Sequence, residues 1–163
     1  ATTIDRTDLL TTTKIVLSLL NKMESTYGNV EGYHIYTDRY YTSVELGKEL
    51  YLKKVNLTGT VNRMRIGLPK EIRAKPKLKK GQLISFRQDS TNENPTNVHV
   101  LEWKDKRPVL MLSTLYDNST ENVTMLTKSG REETIEKPSI ICRYNDFMGG
   151  VDVADQYISP YSF

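Results

Sequence analysis

The succession that most constrains this chain lies in its first third: a strand-like run, an aspartate, a helix and a second strand-like run. Residues 33–37 (Tyr33-His34-Ile35-Tyr36-Thr37) are β-branched and aromatic, the composition that suits a pleated, half-buried surface. Asp38 follows directly, and Thr42 or Ser43 then offers the capping oxygen for a helix through Val44, Leu46, Leu50 and Leu52. Residues 55–61 form the next strand. Strands joined through a helix pair in parallel, by a crossover. Asp38 therefore sits where a carboxylate projects from a rigid platform. On position alone, a turn or cap role is the commoner one for such an aspartate.

A helix is expected ahead of this unit, over residues 4–27. Asp8 or one of Thr11, Thr12 and Thr13 can cap it, and Ile15, Val16, Leu19, Leu20 and Met23 fall at helical spacing. It carries no obvious chemistry. His34 reads as a strand-face residue, because one isolated histidine has no metal-ligand spacing.

The middle of the chain is basic. Residues 63–87 hold nine basic side chains and one acidic, and residues 88–163 hold seven and twelve, an asymmetry hidden by the net charge of +3. Arg63, Arg65, Arg73, Lys75, Lys77, Lys79 and Lys80 make up most of this run, broken by Pro76 and turned at Gly81. Such a segment points either at phosphates or only at solvent. From residue 82, four short β runs (83–87, 98–103, 108–113 and 123–126) alternate with turn-rich pieces and read as a small antiparallel meander. Glu132, Glu133 and Glu136 before Pro138 read as a solvated linker, Trp103 as packing, and Ser139 as a helix start. This region holds no Cys/His cluster, glycine-rich phosphate loop or Ser/His/Asp set. The lone Cys142 has no histidine partner in sequence and reads as a core residue; without a second cysteine it forms no internal disulfide, which favours a reducing compartment. The longest apolar run is far shorter than a membrane span.

Near the end comes Arg143-Tyr144-Asn145-Asp146-Phe147-Met148-Gly149-Gly150-Val151-Asp152-Val153-Ala154-Asp155-Gln156. Two adjacent glycines admit close approach of backbone, metal or phosphate. Asp152 and Asp155, at i and i+3, share one face of a helix and repel each other, so the pair invites a cation. An aspartate at a strand end together with one on a distant helix is a way to assemble a divalent-metal site for phosphoryl transfer.

Four blocks then show a family resemblance. Tyr36-Thr37-Asp38-Arg39-Tyr40-Tyr41-Thr42-Ser43 resembles the "YTDNWYTS" block of piggyBac-type transposases. Gly59-Thr60-Val61-Asn62-Arg63 with Gly67-Leu68-Pro69, Lys106-Arg107-Pro108-Val109-Leu110-Met111-Leu112-Ser113-Thr114, and Tyr144-Asn145-Asp146-Phe147-Met148-Gly149-Gly150-Val151-Asp152 resemble three further blocks in family order. The resemblance implies an α/β, RNase H-like (DDE/D transposase) core interrupted by a small antiparallel β insertion. On that scheme residues 1–66 are the first part of the core, 67–137 the insertion with its basic entry, and 138–163 the return to the core.

It also implies an aspartate triad as catalytic and metal-binding set. Asp38 matches the second member and Asp152 the third, with Asp155 a further acidic position. The first belongs on a strand ahead of the opening helix; Asp5 and Asp8 do not fit that context, so the core is expected to be incomplete at its N-terminus. Arg39 stands where the family often has Asn, placed to pair with Asp38 or to contact a phosphate. The implied cofactor is Mg²⁺ or Mn²⁺. The implied partner is double-stranded DNA, both transposon ends and target, with a possible homodimer, no membrane, and a nuclear location. The expected function is metal-dependent DNA cleavage and strand transfer in the parent protein, with this segment inactive alone; the alternative is a domesticated, transposase-derived DNA-binding protein without catalysis.

Overall fold

A computed structural model describes the backbone of residues 4–158 and the side chains of residues 4–149. The strand–helix–strand unit is present: β1 (His34–Thr37), α2 (Val44–Leu52) and β2 (Asn56–Thr60), with β1 and β2 paired in parallel, His34 opposite Asn56. Ahead of it runs α1 (Thr11–Tyr27), and after it come the short α3 (Lys70–Arg73), β3 (Leu83–Arg87), β4 (His99–Lys104), β5 (Pro108–Ser113), β6 (Thr120–Leu126), β7 (Glu132–Pro138) and α4 (Ser139–Ile158).

The antiparallel strands are not set apart from the parallel pair. β5 pairs with β2, Thr58 opposite Ser113, so one mixed sheet of five strands runs in the order β1-β2-β5-β4-β3. The fourth run of the expected meander leaves it. β6 pairs instead with β7 as a separate hairpin, and β7 contains the glutamates read as a linker. Its sequence hides the strand because most of its residues are exposed, leaving charged side chains at positions that a core-facing strand would fill with apolar ones.

Side chains alternate across the sheet and divide it into two faces. Ile35, Leu57, Val100, Leu110 and Leu112 face α1 and α2 in one aliphatic core, where Leu20, Leu46, Leu50 and Leu57 are essentially inaccessible. The opposite face presents Leu101, Trp103 and Met111 to Ile140 and Ile141 of α4. Trp103 is thus core.

Helix α1 begins later than its apolar pattern suggests, at Thr11. Leu10 is the N-cap with no side-chain cap; its N–H donates to Glu45 Oε1 of α2 (2.9 Å), while Asp8 is held by Arg6. Its buried stripe is Thr13, Val16, Leu17 and Leu20, whereas Ile15, Leu19, Met23 and Tyr27 form a second, exposed stripe at i+4 steps. Two stripes fit the helical period equally, and only packing separates them. No helix among the described residues is long and apolar enough to cross a membrane.

Candidate active site

Asp38 ends β1 on a turn fixed from several sides. Its Oδ1 accepts the Tyr40 N–H (2.9 Å), and its carbonyl accepts the N–H groups of Tyr41 and Thr42. The Thr42 hydroxyl donates to the same carbonyl (2.7 Å) and meets the Thr37 hydroxyl at 2.7 Å. Ser43 then caps α2 by accepting the Leu46 N–H (3.0 Å). Asp38 is a turn residue in its geometry, yet it is exposed, and Oδ2 takes no hydrogen bond among the described residues. The turn uses one carboxylate oxygen and leaves the other facing solvent.

Gly59 of β2 brings two of the motif blocks into direct contact. A Cβ there would run into the Thr37 carbonyl and the Thr42 hydroxyl, and would lie 2.9 Å from Thr37 Oγ1. Glycine lets the Asp38 turn seat directly on β2. Arg65 adds a further hold, donating from Nη2 to the Tyr40 carbonyl.

Asp152 and Asp155 belong to the backbone of α4; their side chains lie outside the described residues. What is described is how α4 meets the strand that carries Asp38. His34, Tyr36 and Thr58 project from the face that also bears Met111 and Ser113. His34 Nε2 is hydrogen-bonded to Thr58 Oγ1 (2.8 Å), and Thr58 Oγ1 to Ser113 Oγ (2.8 Å). The hydroxyls of Tyr36 and Tyr116 lie 3.2 Å apart. The Tyr36 ring is sandwiched: His34 stacks on one side and Phe147 of α4 on the other, each with centroids 4.3 Å apart and planes within 20°. Burial, reinforced by Tyr116, pushes the Tyr36 phenol above the ordinary tyrosine range, so it stays protonated. Burial pulls His34 the other way, keeping its imidazole neutral.

The basic residues divide into two sets. Arg63 is not available to a phosphate. Its guanidinium grips the buried Glu102 of β4 through two 2.7 Å bonds and also donates to the Ile72 carbonyl of α3. Arg65 gives one bond to the Asp38 turn and makes no ion pair among the described residues. Arg73, Lys75, Lys77, Lys79 and Lys80 are exposed and make no ion pair among the described residues. Arg39 is exposed beside Asp38 without an ion pair to it, and lines a shallow hollow of about 450 Å³ with Thr60, Asn62 and Val109. Sequence reasoning missed Glu102. The signal was there: it shares the inward parity of Val100 on a strand whose neighbours are apolar. Cys142 is half-buried on α4, its thiol pushed up by burial and then by Glu121, which fits an unreactive group.

The sequence profile of the family described as Transposase IS4 matches residues 2–163. The chain belongs to that family. PiggyBac transposable element-derived protein 2 of Homo sapiens is 32% identical over 138 residues, 79% of this chain and 22% of that protein. The cryo-EM structure of a piggyBac transposase synaptic complex with hairpin DNA has the same fold over 96% of this chain and 29% of its own, with a TM-score of 0.63 and 21% identity. The piggyBac-type resemblance carried by the four blocks is borne out. This transposase-family chain spans about a fifth of the curated relative's length. Among its described residues, no three His, Cys, Asp or Glu gather as a metal-binding group.

Proposed function

We propose that this chain is the catalytic-domain segment of a piggyBac-like DNA transposase, and that the parent protein cleaves and joins DNA strands at a divalent-metal site. The reading is carried by one observation: Tyr36, two residues before Asp38, stacks against Phe147 of α4, five residues before Asp152. The two family aspartates thus lie on elements in direct contact. The donor set fits Mg²⁺ or Mn²⁺, since both groups offer hard carboxylate oxygens. When bound, such an ion supplies charge stabilisation and activation of the attacking oxygen.

The chain's own part is to hold Asp38 on its turn and α4 against β1. The mixed sheet with α1 and α2 on one face and α4 on the other suits an RNase H-like core, whose first triad carboxylate we place outside these 163 residues. By this reading the segment alone neither cuts nor joins DNA. Asp155 is an accessory ligand. Arg73, Lys75, Lys77, Lys79 and Lys80 contact DNA phosphates, with Arg39 nearest the reacting centre. The structural relative is described in complex with hairpin DNA, which supports DNA as the partner; the nuclear location is proposed from that partner alone.

A version extended N-terminally is expected to nick duplex DNA with Mn²⁺ and to lose this with either Asp38→Ala or Asp152→Asn. Nicking that survives both substitutions would refute the assignment. A second reading, a transposase-derived DNA-binding protein without catalysis, is favoured by the name of the human relative, described as element-derived. It predicts DNA binding without nicking in the extended version, and binding that survives Asp38→Ala.

A further inference from the structure

The metal-site reading leaves open what sets the separation between the two aspartate-bearing elements. α4 is seated in two different ways along its length. At its start, Ile140 and Ile141 are buried against Leu101, Trp103 and Met111. Further along it reaches β1, where the face holds hydroxyls and rings rather than aliphatic side chains. Its stacking contact with β1 there is Phe147, which is still 57% exposed and lies flat on Tyr36, with Arg143 and Asp146 of the same helix close enough to act on the Tyr36 phenol. Tyr36 is in turn braced by His34 behind the ring and by Tyr116 at the hydroxyl, and His34 is tied through Thr58 to Ser113. The line of support runs from β5 through β2 and β1 into the helix. A ring so exposed adds little to the core. Its location, between the two aspartate-bearing elements, is what calls for an explanation.

We propose that the His34–Tyr36–Phe147 stack is a positioning device: it fixes the height and rotation of α4 over β1, and so the separation of the α4 carboxylates from Asp38. Tyr36 and Phe147 are positioning residues, acting on the ion through Asp38 and Asp152. Stacked rings suit this task because parallel faces hold a spacing of a few ångströms without the deep burial that would demand a close-packed pocket. The inference rests on the metal-site reading, and its test separates the two.

The test is made on this chain with Phe147→Ala and Phe147→Tyr. Hydrogen exchange of α4 amides reports the docking, and Mn²⁺ titration followed by electron paramagnetic resonance reports the site. Phe147→Ala is expected to speed exchange beyond residue 143 and to weaken Mn²⁺ binding, each about threefold to tenfold, the size of one stacked aromatic pair. Exchange in α1 and α2 stays unchanged, and Phe147→Tyr, which keeps the stack, restores both readouts. Faster exchange with unaltered Mn²⁺ affinity would reduce the stack to a structural contact and overturn the proposal, as would no change in either. If Asp38→Ala and Asp152→Asn also leave Mn²⁺ affinity unaltered, the metal-site reading itself has failed. If they weaken it while Phe147→Ala does not, only the positioning inference has.

Discussion

The two faces of the sheet hold their helices by different physics. On one, α1 and α2 close over a continuous aliphatic core, and the half-buried Arg63 paired with the buried Glu102 ties the α3 region to β4. On the other, the described part of α4 has a short apolar footing and then one stacked ring pair, Phe147 on Tyr36, while the hydroxyl ladder beneath it runs between strands of the sheet. Burial scales with apolar area and tolerates little displacement, whereas hydrogen bonds exchanged with water contribute about 1 kcal/mol each. The contrast matches the division of labour in the candidate site. Asp38 is built into a strand end and a closely bonded turn, while Asp152 belongs to a helix whose described residues meet β1 through an exposed ring stack.

The largest effect expected is on the rigid side. Arg63→Ala strands the Glu102 carboxylate inside the protein and is expected to cost about 3–5 kcal/mol, read as a lower urea midpoint. A loss under about 1 kcal/mol would mean that the pair is solvated and the faces less different than described. Gly59→Ala comes next, with roughly 1–3 kcal/mol lost as the new methyl displaces Thr37 and Thr42; a structure of that variant should show the Asp38 turn lifted from β2. On the lighter face, Tyr116→Phe removes one hydroxyl contact and should cost only about 1 kcal/mol, seen as a small drop in melting temperature. A larger cost would show that the polar face of the sheet contributes as much as the aliphatic one.

Acidification acts on the same ladder. His34 has a folded value below its ordinary one near 6.5 because burial disfavours the imidazolium. Its contribution is therefore whole above about 6.5 and is lost as pH falls through the lowered folded value. His99 is shifted the same way, by burial and then by Arg87, so the two must be separated. Denaturant titrations should show a shallower loss of stability below pH 6.5 in His34→Gln than in the unaltered chain. An identical pH profile would remove His34 from the account. The smallest effect expected is a gain. Gly149 lies within α4, where glycine costs up to about 1 kcal/mol relative to alanine, and no described atom lies within 4 Å of a Cβ there. Gly149→Ala should stabilise the helix slightly, with circular dichroism as the readout.

Much of this fold could be read from residue order. The helix between two β-branched runs required a parallel pair, Ser43 stood where a cap was needed, and the strands over 83–87 and 108–113 fell within their turn signals. What escaped was decided by packing between distant segments. Nothing local in Pro108–Ser113 says that it will pair with Asn56–Thr60. Glu132–Pro138 is charge-rich because its strand is exposed. Arg63 looked like one more cation in a basic run until Glu102, far along the chain, was placed against it. At the candidate site, Asp38 was legible as a strand-end carboxylate. The stack that brings α4 to it was not, because Tyr36 and Phe147 are ordinary aromatics until the fold sets them face to face.

The central claim is that the Asp38 turn and the glycine-aspartate stretch of α4 share one cation. It is tested most directly by adding substoichiometric Mn²⁺ to the isotope-labelled chain and mapping paramagnetic broadening residue by residue. Amides around Asp38–Tyr40 and around Gly149–Asp155 are expected to broaden together, with Asp38→Ala relieving both. Broadening confined to one of the two, or spread over the acidic hairpin of β6 and β7 instead, would contradict it.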